Sequence, residues 1–395
     1  MPSFWGSACS NAAGQPLQSL LNTAYISCGI TVAAFCIAAA ASAVLYWRWF
    51  QMDAECRQRV WRLYGWFTGL TYCGSCCGAV AWLSQMQYLV AFFTVESRHS
   101  LQALGPSQQL WVIADGVRWL AVLVITYALE CFCLSAAKLM VLDRMMHFAL
   151  PPGGERRWAS VGRAVLCGVV AMNAAGVVGN VAAAVFWSHT ADYYAAAAAA
   201  LAANHTDESQ AFLQLVIQNG GLAADAETFQ QFSQVAVLLL IIVSFAAVGT
   251  ACAHRVSFAL RIVQGVAGHV DQAAVAGKLL LQRIVFTSAF VFVTFLLRAA
   301  YSTMFAVASA LQNNGDECAA HAPDYCDVTC FNVYALMQHW LIYTPEFQLA
   351  IVFTSSPLSL LVARWGMTNE RTLQAMALGK RQLGGSGHSM LRGSA

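Results

Sequence analysis

Seven stretches of this chain are long and apolar enough to cross the ~30 Å of a bilayer's hydrocarbon, which constrains the fold more than any motif does. They run 22–47, 63–93, 118–142, 161–187, 233–255, 284–311 and 333–362. Of 395 residues, 59% are hydrophobic and 10% charged, against ~25% charged in soluble domains. The expectation is an all-α fold, a polytopic integral membrane protein built as a seven-transmembrane-helix bundle over residues 22–365. Residues 1–21 form an outer N-terminal segment and 366–395 a cytoplasmic tail. A net charge of +2, with no basic patch interleaved with aromatics, speaks against a nucleic-acid partner and leaves membrane lipid as the surrounding one. The first twenty residues lack the basic n-region of a cleavable signal peptide.

Basic residues orient the bundle. Arg48, Arg57, Arg59 and Arg62 follow the first span, and Lys138, Arg144, Arg156, Arg157 and Arg163 lie between the third and fourth. Arg255, Arg261, Lys278 and Arg283 join the fifth to the sixth, and five more follow Trp365 or precede it by one residue. Eighteen of the 21 basic side chains thus fall on one face, which the positive-inside rule makes cytoplasmic. The N-terminus is then outside. The longest outer loop, 188–232, opens on an alanine run, Ala195 to Ala200, of high helix propensity, and serves either as a lid or as filler. It also holds the sequon Asn204-His205-Thr206, a glycosylation acceptor if that face is lumenal.

Most of the fourteen cysteines lie inside apolar runs, where they pack as small hydrophobes. Cys9, Cys318, Cys326 and Cys330 fall on the outer face and are expected to form disulfides, in any of three pairings. Zinc held with His321 is the alternative. Small residues recur every fourth position in the second span (Gly65, Gly69, Cys73, Cys77, Ala81) and in the fourth (Ala171, Ala175, Gly179, Ala183, with Gly168 and Gly176 beside them). Such spacing lets helices approach closely in a membrane. A short surface helix is expected after Thr368.

Charges inside the apolar runs are the functional candidates, because a charge at mid-bilayer costs several kcal/mol unless it is paired or wetted. Arg298 lies about 21 Å up the sixth span from Ile284, and Glu346 about 24 Å up the seventh from Val362, at ~1.5 Å per residue. Those depths match, so a direct Arg298–Glu346 pair is expected. Glu130, fourteen residues above Arg144, falls near the same depth. His339 and Tyr343 share a stripe with Glu346; Thr287, Thr294 and Tyr301 share one with Arg298; Thr126 and Cys133 share one with Glu130; and Asn173 and Asn180 share a face of the fourth span. Pro345 leaves the carbonyl of Leu341 without a helical donor. Two acids around one arginine give the centre a net charge of −1 unless one carboxyl holds a proton. The cluster reads either as a ligand pocket or proton path, or as a buried ion pair that fixes packing.

Asp143-Arg144, at the inner end of the third span, resembles the acid–arginine switch of G-protein-coupled receptors; a snorkelling anchor gives the same pattern. That family's other marks are absent: no proline in the sixth span, no Asn-Pro-x-x-Tyr in the seventh, and no seventh-span lysine for retinal. Phe295-Leu296-Leu297-Arg298, followed by a seventh span with a mid-helix proline, resembles the plant tobamovirus-multiplication (Tom/Thh) family over 280–365. That resemblance implies seven spans and a scaffold or receptor-like role.

The functional expectation is a receptor-like protein of the plasma membrane or an endomembrane. It would sense an unknown small molecule or peptide through the outer loops and polar centre, with a possible cytoplasmic signalling partner. A proton-coupled transporter using Glu130 and Glu346, or a non-signalling scaffold, are the alternatives. No enzyme signature, metal site or cofactor motif is visible.

Overall fold

The computed structural model describes residues 17–51, 65–96, 104–149, 155–266, 289–308 and 344–359, with a few isolated positions between and after them. Among these residues the chain is helical, without strands. Helices α1 (Leu17–Phe50), α2 (Phe67–Glu96), α3 (Pro106–Ala149), α4 (Glu155–Ala202) and α5 (Thr206–Val266) are followed by α6 (Ala289–Ala308) and a short α7 (Pro345–Phe353). A single π turn, Thr354–Leu358, continues α7. Six helices, α1 to α6, are long and apolar enough to cross a membrane. The seventh expected span is described only as α7, its π turn and a few neighbouring residues. Cys9, Cys318, Cys326, Cys330, His321, His339, Tyr343, Thr287 and the tail lie outside the described residues, and so do the side chains of Asp143 and Arg144.

Consecutive helices pack side by side from α1 to α5, and α7 returns to α1. One core cluster joins α2 through α6, with Phe67, Ala137, Val169, Ile241, Phe245 and Phe295 at its centre. A second, Cys28, Phe35, Trp82 and Val352, ties α1 and α2 to α7, and a third, Tyr301, Leu341 and Ile351, ties α6 to α7. The outward faces are also apolar: Ile26, Ile30, Ile37 and Val44 stand exposed along α1, and Leu239, Leu240 and Val243 along α5. In water such a surface would be a liability; in lipid it costs nothing.

The 188–232 stretch, expected as a loop, is helical apart from a tight turn at 203–205. Helices α4 and α5 both continue into it. At 48 and 61 residues they extend about 72 and 92 Å, more than twice the hydrocarbon thickness. Their distal halves therefore form a helical hairpin beyond it. Ala191, Ala197, Ala198 and Ala223 are fully buried there, so the alanine run is the hairpin's core, small enough for close backbone approach. Ser209 Oγ donates to the carbonyl of Ala197 across the pair at 3.1 Å. Hydropathy ended the fourth span at residue 187 because the exposed polar residues Ser188, His189 and Asp192 enter the run there; the helix itself has no reason to stop.

What stops it is Asn204, the one non-glycine residue with positive φ (62°) among those described. The Asn204 N–H donates to the Leu201 carbonyl and the His205 N–H to the Ala200 carbonyl, a Schellman cap with asparagine in its left-handed position.

The close-approach glycines differ from those the fourfold spacing marked. Gly69 has open space around it, whereas a Cβ on Gly74 would meet Leu134 and Cys133, and one on Gly78 would meet the ring of Phe35 at 2.6 Å. The packing row of α2 is thus one position round from the expected one. In α4 the expected stripe fits better: Gly176 and Gly179 abut α5, and Ala183 is fully buried.

Candidate functional site

The buried charges gather where α3, α6 and the π turn meet, with α5 closing one side. Arg298 is 5% exposed. Its Nη2 donates to Tyr127 Oη at 2.8 Å and to Cys131 Sγ at 3.6 Å, and its guanidinium carbon lies 5.1 Å from the Tyr127 ring centroid. Gln234 of α5 reaches the same two atoms at 3.5 Å, and Gln230 donates to Gln234 at 3.0 Å. One guanidinium edge is satisfied in this way. Nη1, on the other edge, has no hydrogen-bond partner.

Glu130 is completely buried, and neither of its carboxylate oxygens has a hydrogen-bond partner. Arg298 and Lys138 are its charged neighbours, and the Ser356 hydroxyl stands beside it. Lys138 is 8% exposed; its Nζ donates to the Ser355 carbonyl at 3.2 Å and lies 4.4 Å from the centroid of Phe295. The acceptor lies in the π turn, where Pro357 has no N–H to give the carbonyl of Phe353, and Ser359 Oγ also donates to the Ser355 carbonyl, at 2.6 Å. Ser302, one turn beyond Arg298, and Ser355 keep buried hydroxyls without partners.

The Arg298–Glu346 pair expected from matched depths is not formed. Glu346 is exposed and sits in the first turn of α7, where the positive end of the helix dipole favours a carboxylate. The depth argument counted residues along an unbroken helix, but Thr344 is a non-helical N-cap and Pro345 starts a new helix instead of kinking an old one. The charge balance changes with it: among the described residues the centre holds one acid and two cations, not two acids and one cation. Lys138, assigned to the cytoplasmic face, belongs to this centre.

Other expected residues divide. Thr294 and Tyr301 are buried on the Arg298 face, with Tyr301 Oη accepting from Gln348 of α7 at 3.4 Å. Asn180 donates to the Val124 carbonyl at 3.1 Å and so ties α4 to α3. Asn173 bonds only its own helix, at the Val169 carbonyl, and Thr126 bonds the carbonyls of Val122 and Leu123. Tyr127, Cys131 and Gln234 were not singled out by sequence. The stripe Tyr127, Cys131, Leu134, Lys138, at steps of four, three and four, carried the signal: a polar row ending in a buried lysine.

The arrangement can do two things chemically. The carboxylate can gain or lose a proton beside two cations, and the spare donors can hold water or an anion. At low local dielectric either event changes the forces between three helices and the π turn. No protein-family model, curated protein or solved structure matches this chain.

Proposed function

We propose that this chain is a receptor-like, seven-span membrane protein, with its N-terminus outside and its C-terminus cytoplasmic. It responds to a small molecule or peptide at the outer face by rearranging its helices around Glu130, Arg298 and Lys138. One observation carries this reading: Glu130 is wholly buried beside two cations yet bonded to neither. A cluster kept only to fix packing would have its polar groups satisfied, because each unmet buried group costs about 1–3 kcal/mol. Groups left unmet where α3, α5, α6 and the π turn converge suit a centre with more than one arrangement. The transporter reading relied on a second acid at the same depth, and Glu346 is not there. The break at Thr344 is the feature that keeps that reading in play, since transporters build sites at interrupted helices.

Spin labels introduced as unnatural amino acids at exposed Phe50 and Ala251, near the proposed cytoplasmic ends of α1 and α5, test the reading. Two distance populations are expected, with a ratio that shifts on Glu130→Gln. A single unshifted population overturns it. If proteoliposomes then show proton uptake that Glu130→Gln abolishes, transport replaces it; without uptake, the scaffold role does.

The orientation has its own test at the hairpin tip, where Asn204 is exposed. Protein made in a secretory membrane should lose mass on glycosidase treatment. Because Asn204 also supplies the left-handed cap, Asn204→Gly is the informative change: it removes the acceptor and keeps the turn. Loss of the glycosidase-sensitive shift in that variant is the expected result, and an unglycosylated wild type made in that membrane counts against an outer hairpin.

A further inference from the structure

We infer that the polar centre is a binding site for a small monovalent anion of the chloride class, held between Arg298 and Lys138 and opposed by Glu130. The inference rests on the reading of this cluster as the bundle's controlling centre and adds the ligand that sets its state. Formal charges come first. Among the described residues, Arg298, Lys138 and Glu130 are the charged side chains that act on one another here, and together they carry one formal positive charge more than they compensate. Glu346, the other acid expected nearby, faces outward. A buried net charge is costly, and one monovalent anion removes it.

Unused donors point the same way. Arg298 Nη1 has no acceptor, and Lys138 has one oxygen acceptor for its three protons. The hydroxyls of Ser302 and Ser355 are buried and unpartnered, the first one turn beyond Arg298 and the second on the residue whose carbonyl Lys138 holds. Against these donors stand the two unpartnered oxygens of Glu130, so it is the net positive charge of the cluster, with the free edge of Arg298, that calls for an anion. The same residues are almost fully buried, which favours a one-atom ion needing about the room of one water over a carboxylate or phosphate ester.

Glu130 makes the site adjustable. Its carboxylate competes with the anion for the same two cations, so whatever neutralises Glu130 strengthens anion binding, and the anion in turn favours neutral Glu130. The site thus couples anion occupancy to the group on which the proposed rearrangement turns.

Purified protein melted in sodium chloride, choline chloride and sodium gluconate at equal ionic strength tests this. Stability should rise saturably with chloride whichever cation accompanies it, by about 3 °C at tenfold saturation, and not with gluconate. Lys138→Met should weaken the apparent chloride affinity about tenfold or more, and Glu130→Gln should strengthen it by a similar factor. Should Lys138→Met fail to fold, Ser355→Ala and Glu130→Gln still decide the matter, the first weakening chloride and the second strengthening it. Equal melting in chloride and gluconate overturns the site, as does a chloride effect that these variants leave unchanged, since that places the ion elsewhere. The label distances at Phe50 and Ala251, measured in gluconate, report the rearrangement without chloride, so either idea can fail alone.

Discussion

Glu130→Leu should cost this bundle about 3–5 kcal/mol in gluconate buffer, more than Arg298→Met does. Removing the arginine leaves Glu130 facing Lys138, a balanced if imperfect pair, and strands the uncharged Tyr127, Cys131 and Gln234 contacts. Removing the glutamate leaves two buried cations with no anion between them. Coulomb repulsion at an effective dielectric of ~20 is still a few kcal/mol at close range. Glu130→Leu with Lys138→Met should recover much of the loss, because Arg298 keeps Tyr127. Glu346→Ala, at an exposed helix start, should change stability by no more than about 0.5 kcal/mol. Chemical unfolding in detergent measures all four. If Arg298→Met is the worse lesion and Glu130→Leu is neutral, Glu130 is uncharged in the folded bundle and the count of two cations to one acid fails.

Phe35→Ala should cost a similar amount, about 3–5 kcal/mol, for a different reason. Phe35 is fully buried, and its ring occupies the space that Gly78 leaves open on α2. Truncating it opens a cavity between α1, α2 and Val352 beyond α7's start. The converse change, Gly78→Ala, puts a methyl 2.6 Å from a ring with nowhere to move, an overpacking worth about 1–3 kcal/mol. Combined, the two should fall well short of additive, since the added methyl then partly fills the cavity. Gly69→Ala is the control: with open space around it, it should be neutral or slightly stabilising through helix propensity. Additive losses at 35 and 78 would mean that α1 and α2 do not meet there.

These two sites show what the sequence made legible. Arg298 and Glu130 announce themselves because a charge within an apolar run has few innocent explanations, and both lie in the centre. Lys138 carries an equal charge but stands near the end of its run, where a basic residue reads as a topological marker. Glu346 misleads in the opposite direction, because its depth was counted as if the helix ran unbroken through Thr344, which is not helical. The remaining members leave no trace in hydropathy: Tyr127, Cys131 and Gln234 are uncharged, and the Ser355 oxygen is a backbone carbonyl in a π turn. Six of the helices follow from apolar length alone, whereas the hairpin does not, since hydropathy reports where hydrocarbon ends and not where a helix does.

That hairpin has a mechanical consequence. From Thr206 to Val266, α5 has no proline, and it stays helical from the outer turn past Gln234 to the opposite end of the bundle. Thr206 is about 42 Å from Gln234, and Ala251 about 26 Å beyond it. A rod of that length, packed along α4 and touching the charged centre near its middle, is a lever arm that moves with α4. A sideways push of 5 Å or so at the hairpin tip becomes an opposite displacement of about 3 Å at Ala251, with the pivot at the glutamine that touches Tyr127 and Cys131. Force applied at the hairpin tip thus reaches the charged centre as torque, with no need for a ligand to enter the bundle.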